Sequence, residues 1–307
     1  MAERLLNAEF ARLAAARKLM AVPASTGSLT VDRANAERWI SRFGGAEPDD
    51  GASVEAGAHS VLVRPAQEAA AAPHVFYIHG GGMVYYSTAT FQPFLRTLAT
   101  ALHAPVEAFD YLKAPEHSVE DSVAQLGKQL AVRCEELGDR ELVLAGDSVG
   151  GLLSLYLSLR VLPGVFSRLV LIYPVLDLHT ERESYRTFGE GYFLDRAAMR
   201  GFTSILRPFF TGRAFDPFVL PEIELARLPD CALVTAGCDV LRDEGIAWVR
   251  QLAEAPITVR HRQFPDLPHD FCLYAGKLAS ARRAVAEIAG TAFRLGMTAE
   301  AGPVNRS

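Results

Sequence analysis

From about residue 60 onward, short apolar runs alternate with longer helical patterns, and nothing else in the chain constrains the fold as much. The runs cover 60–64, 75–78, 106–109, 142–145, 169–172, 232–235 and 257–259. Each is apolar on both faces and partly β-branched, the pattern of parallel strands buried on both sides. Between them, 91–103, 119–137, 149–162 and 244–255 are long enough for crossover helices, and 277–295 reads as a final helix. Strand, helix, strand in this order implies an α/β chain, with a mostly parallel, twisted central sheet and helices on both faces. A length of 307 residues allows one large domain of this kind with an insertion, or two ordinary ones.

Two pieces break the alternation. The first runs to about Gly44. Its start, 1–20, is Ala/Leu-rich but interrupted by Glu3, Arg4, Glu9, Arg12, Arg17 and Lys18. It lacks the apolar stretch of a secretory signal and reads as an amphipathic helix with Leu5, Leu6, Phe10, Leu13, Ala14 and Leu19 on one face. The second is 180–219, where strand signal stops and Phe188, Tyr192, Phe193, Phe202, Phe209, Phe210, Phe215 and Phe218 cluster. This density suggests a helical insertion over the sheet's C-terminal edge, where open α/β sheets bind ligands. No apolar run has the length of a membrane span. The cytoplasm is the default expectation.

Charge and cysteine usage exclude several classes of function. Lys and Arg number 31 against 36 Asp and Glu, a net −5, which argues against nucleic acid as the main partner. Cys134, Cys231, Cys238 and Cys272 form no Cys-x-x-Cys pair and no metal-ligand spacing, so they read as reduced, mostly buried thiols. No metal and no cofactor are expected.

Three groups of residues carry chemistry. Gly146-Asp147-Ser148-Val149-Gly150 is weak as a bare pattern but follows an apolar strand and opens an apolar helix. That turn projects the Ser148 oxygen from the sheet edge, above a helix N-terminus that favours negative charge. His79-Gly80-Gly81-Gly82 directly follows the run 75–78. Its glycines let backbone N–H groups turn into a pocket and hold an oxyanion, together with the N–H of Val149. His79 reads as a support for this loop. A nucleophilic serine also needs a base and an orienting acid, which in this architecture follow it in the order acid, then His. Asp239 follows the run 232–235, and His269 lies in an expected loop, 265–270, after the last strand. His261 lies nearer the strand itself. Asp243 and Asp270 are rival acids, and Asp243 is better read as the N-terminal charge of the next helix.

Taken together, these residues resemble the bacterial hormone-sensitive-lipase family, the family IV esterases of the α/β-hydrolase fold. The resemblance spans about 60–295. It rests on His79-Gly80-Gly81-Gly82, on Tyr111-x-x-Ala114-Pro115-Glu116-His117, on Gly146-Asp147-Ser148-Val149-Gly150-Gly151, and on Asp239-x-Leu241-x-Asp243-Glu244-Gly245 with His269-x-Phe271 downstream. It implies Ser148 as nucleophile, His269 as base and acid, and Asp239 as its partner. It also implies an oxyanion hole from the N–H groups of Gly81, Gly82 and Val149, supported by His79, Gly80 and Asp147.

The family's helical cap maps onto 1–44 and 180–219, with Phe193 in the second cap element as a candidate substrate-pocket residue. The core then comprises 45–179 and 220–297, leaving 298–307 as a loose tail. Members hydrolyse short to medium acyl esters without a metal and often dimerise. A small-molecule ester is therefore the expected partner, and a homodimer stays open.

The sequence departs from the family at three places. Leu112-Lys113 stands where Arg-Leu is usual, which puts the packing of that loop in doubt. Val149 replaces a small residue, and a branched side chain there would narrow the acyl pocket. Tyr85 and Tyr86 are bulkier than usual and are candidate substrate contacts or simply packed. The expected function is a serine carboxylesterase acting through an acyl-enzyme. The alternatives are an acyltransferase, lyase or cyclase on the same triad, or a binding protein without catalysis.

Overall fold

A computed structural model describes residues 5–20, 25–45 and 50–293. The chain opens with two helices, α1 (Ala8–Leu19) and α2 (Leu29–Phe43). It continues through β1 (Ser53–Ala56), β2 (Ser60–Arg64), β3 (His74–Ile78), α3 (Thr88–Leu102), β4 (Val106–Phe109) and α4 (Val119–Leu137). Next come β5 (Leu142–Asp147), α5 (Val149–Tyr156), β6 (Arg168–Ile172), α6 (Glu183–Thr187), α7 (Arg196–Gly212) and α8 (Glu222–Leu225). The chain closes with β7 (Asp230–Cys238), α9 (Arg242–Leu252), β8 (Val259–Pro268) and α10 (Ala279–Thr291).

The strands form one sheet in the order β1-β2-β4-β3-β5-β6-β7-β8. Six strands from β4 to β8 run parallel, and every residue of β3, β4, β5 and β6 is buried. This is the α/β-hydrolase architecture, a mostly parallel sheet flanked by helices. The chain steps from β3 outward to β4, then returns past β3 to β5. The C-terminal ends of β3 and β5 therefore flank a switch point, where such sheets form their binding crevice.

The elements differ from the sequence expectations at identifiable places. The run 60–64 is not a parallel strand, because β2 pairs antiparallel with β4 and with β1. β1 itself carried no apolar signal, since its residues are largely exposed. The last strand is 259–268 rather than 257–259, so 265–270 is not a loop. Pro265 and Pro268 mimic a strand end there, but β8 is the sheet's edge strand, where a missing N–H costs no ladder bond. The helix expected over 149–162 becomes a π-helical turn, Leu157–Val161, after α5. The helix α1 starts only at Ala8; Leu6 just before it is buried with Phe10 and Leu13, but Leu5 and Leu19 are exposed, so the apolar face is narrower than expected. The tail 298–307 and residues 294–295 lie outside the described residues. Among the described residues no helix is long and apolar enough to cross a membrane, and no group of His, Cys, Asp or Glu could hold a metal.

Candidate active site

Strand register brings the candidate residues together. Ile78 of β3 pairs with Gly146 of β5, so the glycine loop starts beside Asp147 and Ser148. Cys238 of β7 pairs with Pro268 of β8 beyond a register shift, so Asp239 and His269 emerge side by side. Ser148 sits at φ 54°, ψ −122°, a backbone conformation that costs about 1–3 kcal/mol and persists only where surroundings enforce it. The flanking glycines let the surrounding backbone close in tightly enough to do so. A Cβ on Gly150 would stand 2.1 Å from the Ile78 carbonyl oxygen, and one on Gly146 would stand 2.4 Å from that of Gly150.

Asp239, His269 and Ser148 form one hydrogen-bonded chain. The His269 Nδ1–H donates to Asp239 Oδ2 at 2.7 Å, and Nε2 stands 3.0 Å from Ser148 Oγ. The other carboxylate oxygen of Asp239 accepts from the Leu241 N–H at 3.0 Å. With Nδ1–H committed to Asp239, Nε2 is left as the acceptor facing the serine hydroxyl. All three residues are buried. Burial alone would lower the His269 pKa, but the facing Asp239 and then Asp270 outweigh it and push it up to about 9.

None of the rival groups takes the place of Asp239 on Nδ1 of His269. Asp243 accepts from the Ser184 N–H at 2.8 Å and from Arg242, in the first turn of α9. Its neighbour Glu244 is fully buried and accepts from the Leu176 N–H at 2.8 Å, fixing the turn after β6. Asp270 approaches His269 from the Nε2 side, at 3.5 Å. His261 hydrogen-bonds Thr235 Oγ1 within the β7–β8 pair.

The glycine loop is held rigidly from below. Asp147 Oδ1 accepts from the Gly80 N–H and the Tyr77 hydroxyl, both at 2.8 Å. The Gly80 carbonyl accepts from His79 Nδ1 at 2.6 Å and from the Tyr111 hydroxyl at 2.8 Å. The His79 and Tyr111 rings stack 4.4 Å apart. Among the described residues, the N–H groups of Gly81, Gly82 and Val149 have no acceptor.

A cavity of about 440 Å³ opens onto Ser148 and His269, a volume suited to a small organic ligand. Tyr85, Tyr86 and Phe193 all line it, as do Gly81 and Gly82. Phe202 of α7 packs so tightly over Gly82 that a Cβ there would stand 2.4 Å from its ring. Of the eight aromatics clustered in 180–219, only Phe193 and Phe202 line the cavity. Phe209, Phe210 and Phe215 instead pack edge-on around Tyr156.

The departures resolve differently. The Val149 side chain is buried in the core and does not line the cavity, so it does not narrow it. The loop whose packing was in doubt is held by Arg33 of α2. Arg33 donates to the Val84 carbonyl at 2.8 Å and the Ala114 carbonyl at 2.7 Å, and pairs twice with Glu116. Sequence reasoning missed Arg33, and it missed Arg17, Trp39, Tyr274 and Asp270 as lining residues. An arginine on a polar helix carries no local signal of a partner 80 residues away. Asp270 had a signal, its place directly after the candidate base.

Comparisons with known proteins agree with this geometry. A sequence profile described as "alpha/beta hydrolase fold" matches residues 75–273. An ethyl acetate hydrolase from Pseudomonas putida is 32% identical over 224 residues, covering 68% of this chain and 70% of its own. Esterase LipI from Mycobacterium tuberculosis is 31% identical over 240 residues, covering 70% of each chain. The crystal structure of a thermostable esterase from Pseudomonas putida superimposes with a TM-score of 0.81 at 26% identity. It covers 95% of this chain and 98% of its own.

Proposed function

This chain belongs to the hormone-sensitive-lipase family of α/β hydrolases and is a carboxylic ester hydrolase, and we propose that it cleaves small esters of short to medium acyl chains through a Ser148 acyl-enzyme. The observation that carries this reading is the continuous chain Asp239–His269–Ser148, open to the cavity at its serine end.

His269 Nε2 takes the Ser148 proton as Oγ attacks the ester carbonyl. Asp239 holds the tautomer and stabilises the imidazolium. The unpaired N–H groups of Gly81, Gly82 and Val149 receive the charge that develops on the carbonyl oxygen. His269 then protonates the leaving alcohol and, in the second half, activates water against the acyl-enzyme. The helices α1 and α2 and the segment 180–219 act as the cap that closes the cavity. Tyr85, Tyr86, Phe193 and Phe202 shape the acyl and alcohol sites beneath it. The volume of about 440 Å³, narrowed by Phe202, supports short and medium chains over long ones.

Initial rates on p-nitrophenyl esters from acetate to laurate, beside Ser148→Ala, test the reading. Turnover should be highest at the short end and vanish with the substitution. A maximum at laurate would refute the chain-length reading, and full activity in the variant would refute the serine mechanism.

A further inference from the structure

The cavity holds a carboxylate that the reaction does not use. Asp270 follows His269 in the left-handed conformation, φ 61°, ψ 13°, and its side chain lines the cavity at 22% exposure. Its Oδ1 stands 3.5 Å from His269 Nε2, which itself stands 3.0 Å from Ser148 Oγ. Asp239 already occupies Nδ1, so Asp270 is not needed to set the tautomer. Among the described residues its carboxylate accepts no hydrogen bond. Arg17 lines the same cavity, but its guanidinium donates to the Phe193 carbonyl at 3.0 Å and lies over the Trp39 ring. When His269 is neutral, the form that can take the serine proton, Asp270 is a carboxylate without a donor in a confined site and is under-satisfied, and hydrogen bonds to charged groups are among the stronger ones.

We propose that Asp270 selects esters whose alcohol part carries a hydrogen-bond donor, a hydroxyl or a protonated amine, on the carbon next to the one bearing the ester oxygen. The inference rests on Ser148 and His269 acting as proposed above. The leaving oxygen must come within hydrogen-bond reach of Nε2, about 3 Å, to take its proton. An alcohol so placed passes beside Asp270 Oδ1, and a donor on its second carbon meets the carboxylate. An alkyl group there leaves the carboxylate unsatisfied, and an anionic one is repelled. Partial esters of diols and polyols and esters of amino alcohols are the matching substrates.

The test compares kcat/KM on two near-isosteric pairs at pH 7. The first is 2-hydroxyethyl acetate against propyl acetate. The second is 2-(dimethylamino)ethyl acetate, protonated at this pH, against 3-methylbutyl acetate. Each ratio is taken within one preparation of the full chain, so differences in folded fraction cancel. The expected preference for the donor-bearing ester is about tenfold in each pair. Asp270→Asn keeps an acceptor without charge, so the hydroxyl preference survives and the amine preference, which also draws on the charge, falls by more than the hydroxyl one. Asp270→Ala removes both. A role confined to packing would move neither ratio. Ratios near one in the unsubstituted protein, or ratios unchanged by Asp270→Ala, overturn the inference. A fluorophosphonate probe run on the same preparations separates the causes. If Ser148 is labelled and the ratios are one, only the role of Asp270 fails. If Ser148 is not labelled, the serine reading fails and takes this inference with it.

Discussion

The floor and the roof of the cavity are built by different means. On the floor, Ser148 and Asp239 follow the buried strands β5 and β7, His269 follows the edge strand β8, and register places each against the next. Their polar atoms are paired inside the protein. The roof is tied down at its rim by charged side chains of the cap. Arg33 bridges α2 to Val84, Ala114 and Glu116, Arg196 and Arg200 clasp Glu181, and Arg213 meets Glu120. Most of these pairs are partly exposed, where ion pairs add little to stability. On the function proposed above, reaction geometry belongs to the sheet, and the choice of substrate belongs to the cap and to residues facing it. A substitution on the floor should change rate for every ester alike. One on the roof should change which ester is preferred.

The largest effects fall on the floor. Ser148→Ala should remove turnover by a factor of about 10⁶, with the melting temperature little changed, because alanine keeps the Cβ and the backbone conformation of this position. Asp239→Asn should cost about 10⁴ in kcat by presenting the wrong His269 tautomer, as measured by steady-state kinetics on p-nitrophenyl acetate. A loss under tenfold would break the assignment of Asp239. Both losses should be equal across acyl lengths, and a variant that changed the preference instead would erase the distinction between floor and roof.

The pH profile sharpens the comparison. As the proposed base, His269 can act only when neutral; burial would lower its pKa, but the two facing carboxylates outweigh that and push it up to about 9. Protonated His269 cannot accept the serine proton, so log kcat/KM should climb with unit slope below about pH 9 and level off above it. Asp270→Asn removes one of the carboxylates that raise the value, so the midpoint should move to lower pH. A midpoint that stays in place would show that Asp270 does not act on His269.

Roof substitutions should be smaller and selective. Phe202→Ala opens space above Gly82 and should raise the octanoate-to-acetate ratio of kcat/KM several-fold, at little cost to acetate hydrolysis. Arg200→Ala, at an exposed pair with Glu181, should change stability by no more than about 0.5 kcal/mol, read from denaturant unfolding.

The floor was also the legible part of the sequence. Buried parallel strands are continuous apolar runs, and the chemistry at their ends lies in short local motifs, so Ser148, His79 to Gly82 and Asp239 could be placed from composition and order. Legibility failed where the fold depends on an edge or on distant partners. β1 is exposed and polar, and the prolines of β8 disguised a strand as a loop. Arg33 meets its partners through the packing of α2, which no local pattern encodes. Asp270 was visible as a rival acid, but only the geometry showed it on the Nε2 side of the ring. The aromatic density in 180–219 pointed to a roof over the site, whereas much of it packs around Tyr156.

The central claim is that Ser148 carries the acyl group, and the most direct measurement traps it. The protein is mixed with p-nitrophenyl acetate, quenched in acid within the first turnovers, digested and mapped by mass spectrometry. The account predicts one added acetyl group, on the peptide containing Ser148 and absent from Ser148→Ala. An acetyl group on a different residue, or full turnover by the variant, would contradict it.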